Sequence, residues 1–147
     1  MKYMEQTWPK KEVLRGYAMA PTITQDNRHK ALTMFSEYSK LSPDDIREKI
    51  TKAQECDIWE KKSYTKHLKR KDSAHNFDKY AEDHMTIARY TIKNPQRIFA
   101  GYMFKAKRLA FYSSRYDAFV IIDEKTNMIR TMFHPMKSFM SEFVEIL

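Results

Sequence analysis

Cysteine and glycine are scarce in this 147-residue sequence, and each shortage excludes a class of protein. Cys56 is the single cysteine, so neither an intrachain disulfide framework nor a zinc site built on several cysteines can form. The two glycines, Gly16 and Gly101, lie in no glycine-rich phosphate loop or dinucleotide fingerprint. Disulfide scaffolds and nucleotide-binding proteins that depend on such loops are therefore excluded.

Long apolar segments are also missing from the sequence. No run approaches the roughly 20 residues that a membrane-spanning helix needs. Residues 1–11 lack the apolar stretch of a signal peptide. We therefore expect a cytoplasmic protein in a reducing setting, with no membrane partner.

The sequence is rich in positive charge, and one segment carries all of the excess. The chain has 27 Lys and Arg against 19 Asp and Glu, a net charge of +8. Residues 61–115 contain 14 basic and 4 acidic residues (+10), which leaves 13 basic and 15 acidic residues (−2) elsewhere. Aromatic residues alternate with the basic ones there, which is typical of a surface that binds RNA or another polyanion. A solvated face of a basic protein is the alternative.

Two helices are predicted between residues 42 and 95. Ser42, followed by a proline and two acids, is a suitable N-cap, and apolar residues at helical spacing extend this helix to about Lys62. Residues 63–73 break the pattern and are interpreted as a basic connector. A second apolar stripe predicts a helix from about Asn76, and Asn94-Pro95 ends it.

After Pro95 the spacing of apolar residues becomes that of strands. Four short aromatic and β-branched segments follow, over residues 97–104, 108–113, 116–122 and 128–133. Their short connections predict antiparallel neighbours, and residues 136–147 return to helical spacing. We expect an α+β fold: N-terminal helices, a four-stranded antiparallel meander and a C-terminal helix. The expected domains are a helical region over 1–62 and an α+β domain over 63–147, or one compact unit made of both.

Five histidines are the candidate acid–base groups, and His67 is the foremost because of its neighbours. It lies among Lys66, Lys69, Arg70 and Lys71, and nearby cations disfavour the protonated imidazole. A neutral imidazole can take a proton from a ribose 2′-hydroxyl while lysines stabilise the phosphate. A solvated histidine in a basic loop is an equally weighted alternative.

Other candidates lie beside the connector and on the predicted strands. His75 flanks the same connector and can act with His67, whereas His84 is predicted to be a partly buried structural histidine. Residues that can contact phosphates or bases are Thr131, Arg130, Arg108, Tyr112 and Arg115. For each of these an ordinary strand or surface role is the alternative. No HxxxH, HExxH or paired acidic cluster occurs, so we expect neither a metal nor another cofactor.

The order of these features resembles the barnase, EndoU, colicin D and RelE-like ribonuclease toxins. The resemblance covers about residues 63–135. It is carried by four segments: Lys66-His67-Leu68-Lys69, Asn94-Pro95, residues 116–123 and Ile129-Arg130-Thr131-Met132-Phe133. Phe133 stands where the family often has a tyrosine. The resemblance implies a helical part packed on a small antiparallel sheet, with RNA lying across the sheet.

For function, the resemblance implies a metal-independent endoribonuclease that cuts tRNA or mRNA. The ribose 2′-hydroxyl would attack its own phosphate, giving a 2′,3′-cyclic phosphate and a 5′-hydroxyl. His67 would act as base or acid, Lys66 and Lys69 would stabilise the phosphate, and Thr131 and Arg115 would bind its oxygens. An acidic immunity or antitoxin protein is the implied partner. The alternatives are a non-catalytic nucleic-acid-binding or regulatory protein of a phage or other mobile element, and an interaction module that binds an acidic protein.

Overall fold

The structure, a computed structural model, describes residues 29, 33–34, 36–38, 40–103, 106–136 and 143–146. Its α-helices are α1 (Pro43–Gln54), α2 (Lys61–Lys69) and α3 (His84–Lys93), and Ser73–His75 forms a 3₁₀-helix. Its strands are β1 (Arg97–Met103), β2 (Ala106–Ser113), β3 (Ala118–Asp123), β4 (Ile129–Phe133) and β5 (Val144–Glu145). None of the helices in these described ranges is long and apolar enough to cross a membrane.

Helix α1 begins where the sequence predicted, because Ser42 and Asp45 form a capping box. The Asp45 amide donates to Ser42 Oγ (3.1 Å), and the Ser42 amide donates to Asp45 Oδ2 (3.3 Å). The predicted end near Lys62 was wrong, since the helix stops at Gln54. The chain then becomes extended, and Trp59 forms a parallel bridge with Ile129 of β4.

Helix α2 corrects the prediction of a connector over residues 63–73. It forms because the Glu60 carboxylate accepts from the amides of Lys62 (3.2 Å) and Ser63 (2.8 Å), which satisfies the first turn. The basic residues of its last turn suit the negative end of the helix dipole. His67 is the one side chain that α2 buries. The helix therefore has no apolar stripe from which the sequence could have predicted it.

Helix α3 starts later than predicted. Asp83 caps it by accepting from the Thr86 amide (2.7 Å). The segment before it forms turns instead, and the Asn76 side chain accepts from the Asp78 amide (2.9 Å). The predicted end at Asn94-Pro95 is confirmed, because α3 ends at Lys93.

The sheet has the order β4-β3-β2-β1-β5, and every pair is antiparallel. The predicted four-stranded antiparallel sheet is therefore confirmed. A fifth strand replaces part of the predicted C-terminal helix, since Val144 and Glu145 pair with β1; residues 137–142 and 147 lie outside the described residues. Arg97 fixes β5 by donating to both carboxylate oxygens of Glu145 (2.7 and 2.8 Å). A strand of two residues is too short to show the alternation of apolar and polar residues from which strands are predicted.

The two faces of the sheet bury separate apolar clusters. One face packs against α1 and α3, with Ile50, Ile87 and Phe111 in a single cluster. The other face holds a smaller cluster that includes Phe119 and Phe143. Described residues on both sides of the predicted boundary at residue 62 belong to the larger cluster.

The edge of β4 is covered by the chain that carries α2 and the 3₁₀-helix. The Ile129 amide donates to the Ile58 carbonyl (2.8 Å), and Ser63 Oγ donates to the carbonyl of Arg130. The His134 amide donates to the carbonyl of Ala74 (2.6 Å). These bonds occupy the groups that an edge strand otherwise exposes, and they hold residues 58–75 beside β4.

Candidate functional site

Four of the five histidines lie together beside the end of β4, and we call them the histidine cluster: His67, His75, His84 and His134. The ring centroid of His67 is 4.9 Å from that of His84 and 6.0 Å from that of His75. Phe77 joins the fourth ring to this group, since it stacks on His134 at 4.0 Å and lies 5.7 Å from His84. The cluster thus draws on α2, the 3₁₀-helix, α3 and the end of the sheet.

The inner half of the cluster is a hydrogen-bonded chain from His67 to Asp78. His84 Nε2 lies 3.1 Å from Asp78 Oδ1, and His84 Nδ1 lies 2.7 Å from His67 Nε2. A carboxylate only accepts, so His84 Nε2 carries the proton. With both rings neutral, His67 Nε2 then donates to His84 Nδ1. His67 Nδ1 is left as a buried acceptor that has no hydrogen-bond partner among the described residues.

His67 is an interior residue, 3% exposed. Its ring packs against Trp59 (4.8 Å between centroids) and Phe77 (6.4 Å). Burial, followed by the charges of His84 and His75, lowers the pKa of His67 from 6.5 to about 4. A neutral His67 was expected, but we attributed it to neighbouring cations, and burial is the larger cause. The predicted contact with RNA conflicts with this placement, because a buried ring offers no nitrogen to a substrate.

The outer half of the cluster is His75, whose ring lies between the carboxylate of Asp72 and the guanidinium of Arg70. His75 Nδ1 lies 2.7 Å from Asp72 Oδ2, and Arg70 Nη1 lies 2.8 Å from His75 Nε2. Because a guanidinium only donates, Nε2 accepts and the proton of the neutral ring is on Nδ1. The hydrogen bond from His75 lowers the pKa of Asp72, so this carboxyl stays ionised. The side chain of His75 is 13% exposed, and it is therefore closer to solvent than His67.

Arg70 belongs to a run of exposed cations along and just after α2, which we call the basic ridge: Lys61, Lys62, Lys66, Lys69, Arg70 and Lys71. Residues 61–71 contain no acid. Within the described ranges, no salt bridge includes a lysine of the basic ridge. Lys66, Lys69, Arg70 and Lys71 are thus exposed, and their contact with a polyanion stays a prediction.

Tyr112 and Arg115 lie at the same end of the sheet as the histidine cluster. Tyr112 Oη donates to Asp117 Oδ1 (2.7 Å), and the carbonyl of Asp117 accepts from His134 Nδ1 (2.7 Å). Burial and the Asp117 carboxylate raise the pKa of Tyr112 to about 12. The guanidinium of Arg115 lies 5.1 Å from the ring of Tyr90, and its side chain is 58% exposed. Arg115 is thus accessible to an anion.

Arg108, predicted to bind phosphate, is part of the interior instead. It is 4% exposed and forms an ion pair with Asp123, its cross-strand partner in β3. That pair lies at the far end of β2 from the histidine cluster. A buried, paired guanidinium is not presented to RNA, so the prediction for Arg108 is corrected.

A bulge in β4 determines the face of the sheet on which Thr131 lies. The register shifts between Ile121 and Ile122, so Arg130 is the extra residue of the strand. Thr131 pairs with Ile121, which belongs to the apolar cluster on the face opposite the helices. Strict alternation along the strand would place Ile129 on the face of Thr131, but the bulge returns Ile129 to the helix-covered face. Arg130 is exposed at the bulge.

Asp72 was not predicted as a residue of the site, and His134 was one of the five candidate histidines without a specific role. Asp72 is three residues before His75, which is the spacing that brings side chains together in a 3₁₀-helix. That spacing was the available signal. His134 reaches the cluster only through the sheet, 58 residues from Asn76, and no local pattern reports such a contact. His84 is partly buried and hydrogen-bonded, as predicted.

In the described part of the chain, no group of three or more His, Cys, Asp or Glu residues has a geometry that could hold a metal ion. Comparisons of the chain with protein-family models, with curated proteins and with solved structures give no match. The functional proposal below therefore rests on the chemistry of the histidine cluster and the basic ridge.

Proposed function

We propose that this protein is a metal-independent endoribonuclease of the toxin type, with His75 in place of His67 as its acid–base group. One observation carries the proposal: the His75 ring lies between the ionised carboxylate of Asp72 and the guanidinium of Arg70, which belongs to the basic ridge. An acid–base group oriented by a second group is the arrangement that catalytic dyads use. The resemblance of residues 63–135 to ribonuclease toxins supports the same proposal.

The reaction needs only groups that this arrangement supplies, together with solvent. The ribose 2′-oxygen bonds to phosphorus while the bond from phosphorus to the 5′-oxygen breaks. The 2′-hydroxyl proton passes to His75 Nε2, and the leaving 5′-oxygen takes a proton from solvent. Asp72 stabilises the imidazolium that forms. The products are a 2′,3′-cyclic phosphate and a 5′-hydroxyl.

Arg70 has two positions in this proposal. Without substrate it donates to His75 Nε2, which is the atom that must accept the 2′-hydroxyl proton. A phosphate group offers the guanidinium a charged, bidentate partner, so RNA would draw Arg70 away and free Nε2. The arginine and Lys69 then stabilise charge on the phosphate oxygens, and each such donor typically contributes about 2–4 kcal/mol to lowering the barrier.

The substrate class follows from the 2′-hydroxyl chemistry and from the basic ridge. We propose tRNA or mRNA as the substrate, a cytoplasmic site of action and an acidic immunity or antitoxin protein as the neutralising partner. Such a partner would present carboxylates to Lys62, Lys66 and Lys69, which are exposed. Thr131 lies on the same face of β4 as Phe133, whose ring is 5.9 Å from that of His75, and its role in binding phosphate oxygens stays a prediction.

A non-catalytic RNA-binding protein is the second candidate, and one observation favours it. His75 Nε2 is engaged by Arg70, and the unpaired Nδ1 of His67 is buried, so neither nitrogen is open to a substrate in the described conformation. In that case the basic ridge binds RNA through its phosphates and the cluster serves only to join α2 to the sheet.

The purified chain with total RNA or tRNA in EDTA, with and without ribosomes, separates the two candidates. We expect fragments that end in a 2′,3′-cyclic phosphate, lost in His75→Gln while RNA binding persists. His29→Gln, which replaces an exposed histidine outside the cluster, is the matched control and should cleave as the unaltered chain does. RNA that is bound but stays intact in every condition would reject the nuclease and leave the RNA-binding protein.

A further inference from the structure

We infer that His134 is a positioning residue that fixes the segment carrying His75 to the end of the sheet. The inference deepens the proposed function and its functional consequence rests on it, because the segment matters only if His75 acts on a substrate. The relevant contacts lie between His134, the backbone of residues 74–76 and the turn between β2 and β3.

Both residues that flank His75 are bound by His134. The backbone amide of His134 donates to the carbonyl of Ala74 (2.6 Å), and its ring Nε2 lies 2.8 Å from the carbonyl oxygen of Asn76. Carbonyl oxygens only accept, so Nε2 must carry a proton to make this hydrogen bond, and the ring hydrogen-bonds the carbonyls of Asn76 and Asp117 together only as the imidazolium. Contacts with His134 therefore hold the backbone on both sides of His75.

The ring of His134 is itself fastened to the sheet. Its Nδ1 lies 2.7 Å from the carbonyl oxygen of Asp117, in the turn between β2 and β3. Its face stacks on Phe77 at 4.0 Å with an interplanar angle of 25°, and Phe77 is fully buried. The one side chain thus bridges the turn and the Asn76 carbonyl, which gives His134 a connecting role that a single hydrogen bond does not provide.

The consequence for His75 is a fixed position relative to the basic ridge. Its ring lies 5.9 Å from that of Phe133, the residue before His134. Its two nitrogens reach Asp72 and Arg70, so a shift of the backbone at residues 74–76 would misalign both bonds. A displacement of about 1 Å in a catalytic group can lower the rate about 100-fold.

The test compares His134→Phe, which keeps a ring to stack on Phe77 but has no donors, with His134→Gln, which retains donors on one nitrogen. Gly101→Ala serves as the control for general destabilisation, because it strains the face of the sheet opposite the cluster. All proteins are compared below their unfolding temperatures.

Nitrogen-15 spectra of the histidine rings give a readout that is independent of nuclease activity. We expect His75 in the unaltered chain to carry its proton on Nδ1. That single form should give way to a mixture of tautomers in His134→Phe, to a smaller extent in His134→Gln and not in Gly101→Ala. An unchanged His75 spectrum in His134→Phe would overturn the inference.

The unaltered chain also gives a test that needs no variant. The ring protons of His134 in its imidazolium form should exchange slowly with water, since both nitrogens of that form donate to backbone carbonyls. Rapid exchange of both protons would overturn the inference even if no variant folds.

The kinetic readout applies once cleavage has been established. We expect kcat of His134→Phe to fall about 100-fold with KM unchanged, because the lysines of the basic ridge remain. If no RNA is cleaved by the unaltered chain, the proposed nuclease fails while the spectra still decide whether His134 positions His75.

Discussion

Acidification should destabilise the protein through His67. Its pKa is lowered from 6.5 to about 4 in the folded chain, so between these pH values the unfolded chain binds a proton that the folded chain does not. The stabilising contribution is complete above about pH 6.5 and is lost as the pH falls towards 4. Lowering the pKa of His67 from 6.5 to about 4 corresponds to at most about 3 kcal/mol of unfolding free energy. Solvent screening of the nearby Arg70 and His75 charges reduces the expected contribution to about 2 kcal/mol.

Urea unfolding followed by circular dichroism at pH 7.0, 6.0, 5.0 and 4.5 measures this contribution. Titrating carboxyls such as Asp72 and Asp83 change the stability of every variant. The loss of unfolding free energy is therefore compared between the unaltered chain and each variant. His67→Gln removes the ring that titrates, and it should lose about 2 kcal/mol less than the unaltered chain between pH 7.0 and 4.5.

His29→Gln is the matched control, since it removes an exposed histidine from a described helical residue. An equal loss of unfolding free energy in the unaltered chain and in His67→Gln between pH 7.0 and 4.5 would mean that protonation of a buried His67 is not the cause of the acid destabilisation. That result would refute the interior placement of the ring and, with it, the assignment of the exposed role to His75.

Three further predictions concern the sheet and the basic ridge. Gly101→Ala places a Cβ 2.6 Å from Phe143 Cε2 and should cost about 1–3 kcal/mol in unfolding free energy; Gly101→Ala with Phe143→Ala should cost less than the sum of the two single changes. Arg108→Ala leaves the Asp123 carboxylate without its ion-pair partner and should cost about 3–5 kcal/mol in urea unfolding, with RNA affinity unchanged. Lys66→Gln and Lys69→Gln should each lower the slope of log affinity against log salt by about 0.7 for single-stranded RNA; unaltered slopes would show that the basic ridge does not contact phosphate.

The parts of the fold with local chemical signals could be predicted from the sequence. The start of α1 follows from Ser42 and Asp45, whose side chains and amides bind one another within four residues. The meander follows from short apolar segments with short connections, which leave antiparallel pairing as the available geometry. In both cases the interacting groups are close in the chain.

The parts that depend on distant contacts could not be predicted. Helix α2 buries a single side chain, so its register is fixed by Glu60 and by contacts with β4 in place of an apolar stripe. The bulge at Arg130 reversed the face of Ile129 relative to Thr131, and a strict period of two has no means of showing an inserted residue.

The histidine cluster shows why the charge pattern located the site but selected the wrong ring. Lysines at positions 66 and 69 point to an exposed surface, and His67 lies between them in sequence. On a helix, however, adjacent residues differ by about 100° in direction, so the residue between two exposed lysines turns towards β4. The candidate acid–base group closer to solvent is His75, which lies in the 3₁₀-helix and contacts Arg70. His67 is instead an interior residue whose hydrogen bond to His84 joins α2 to the start of α3.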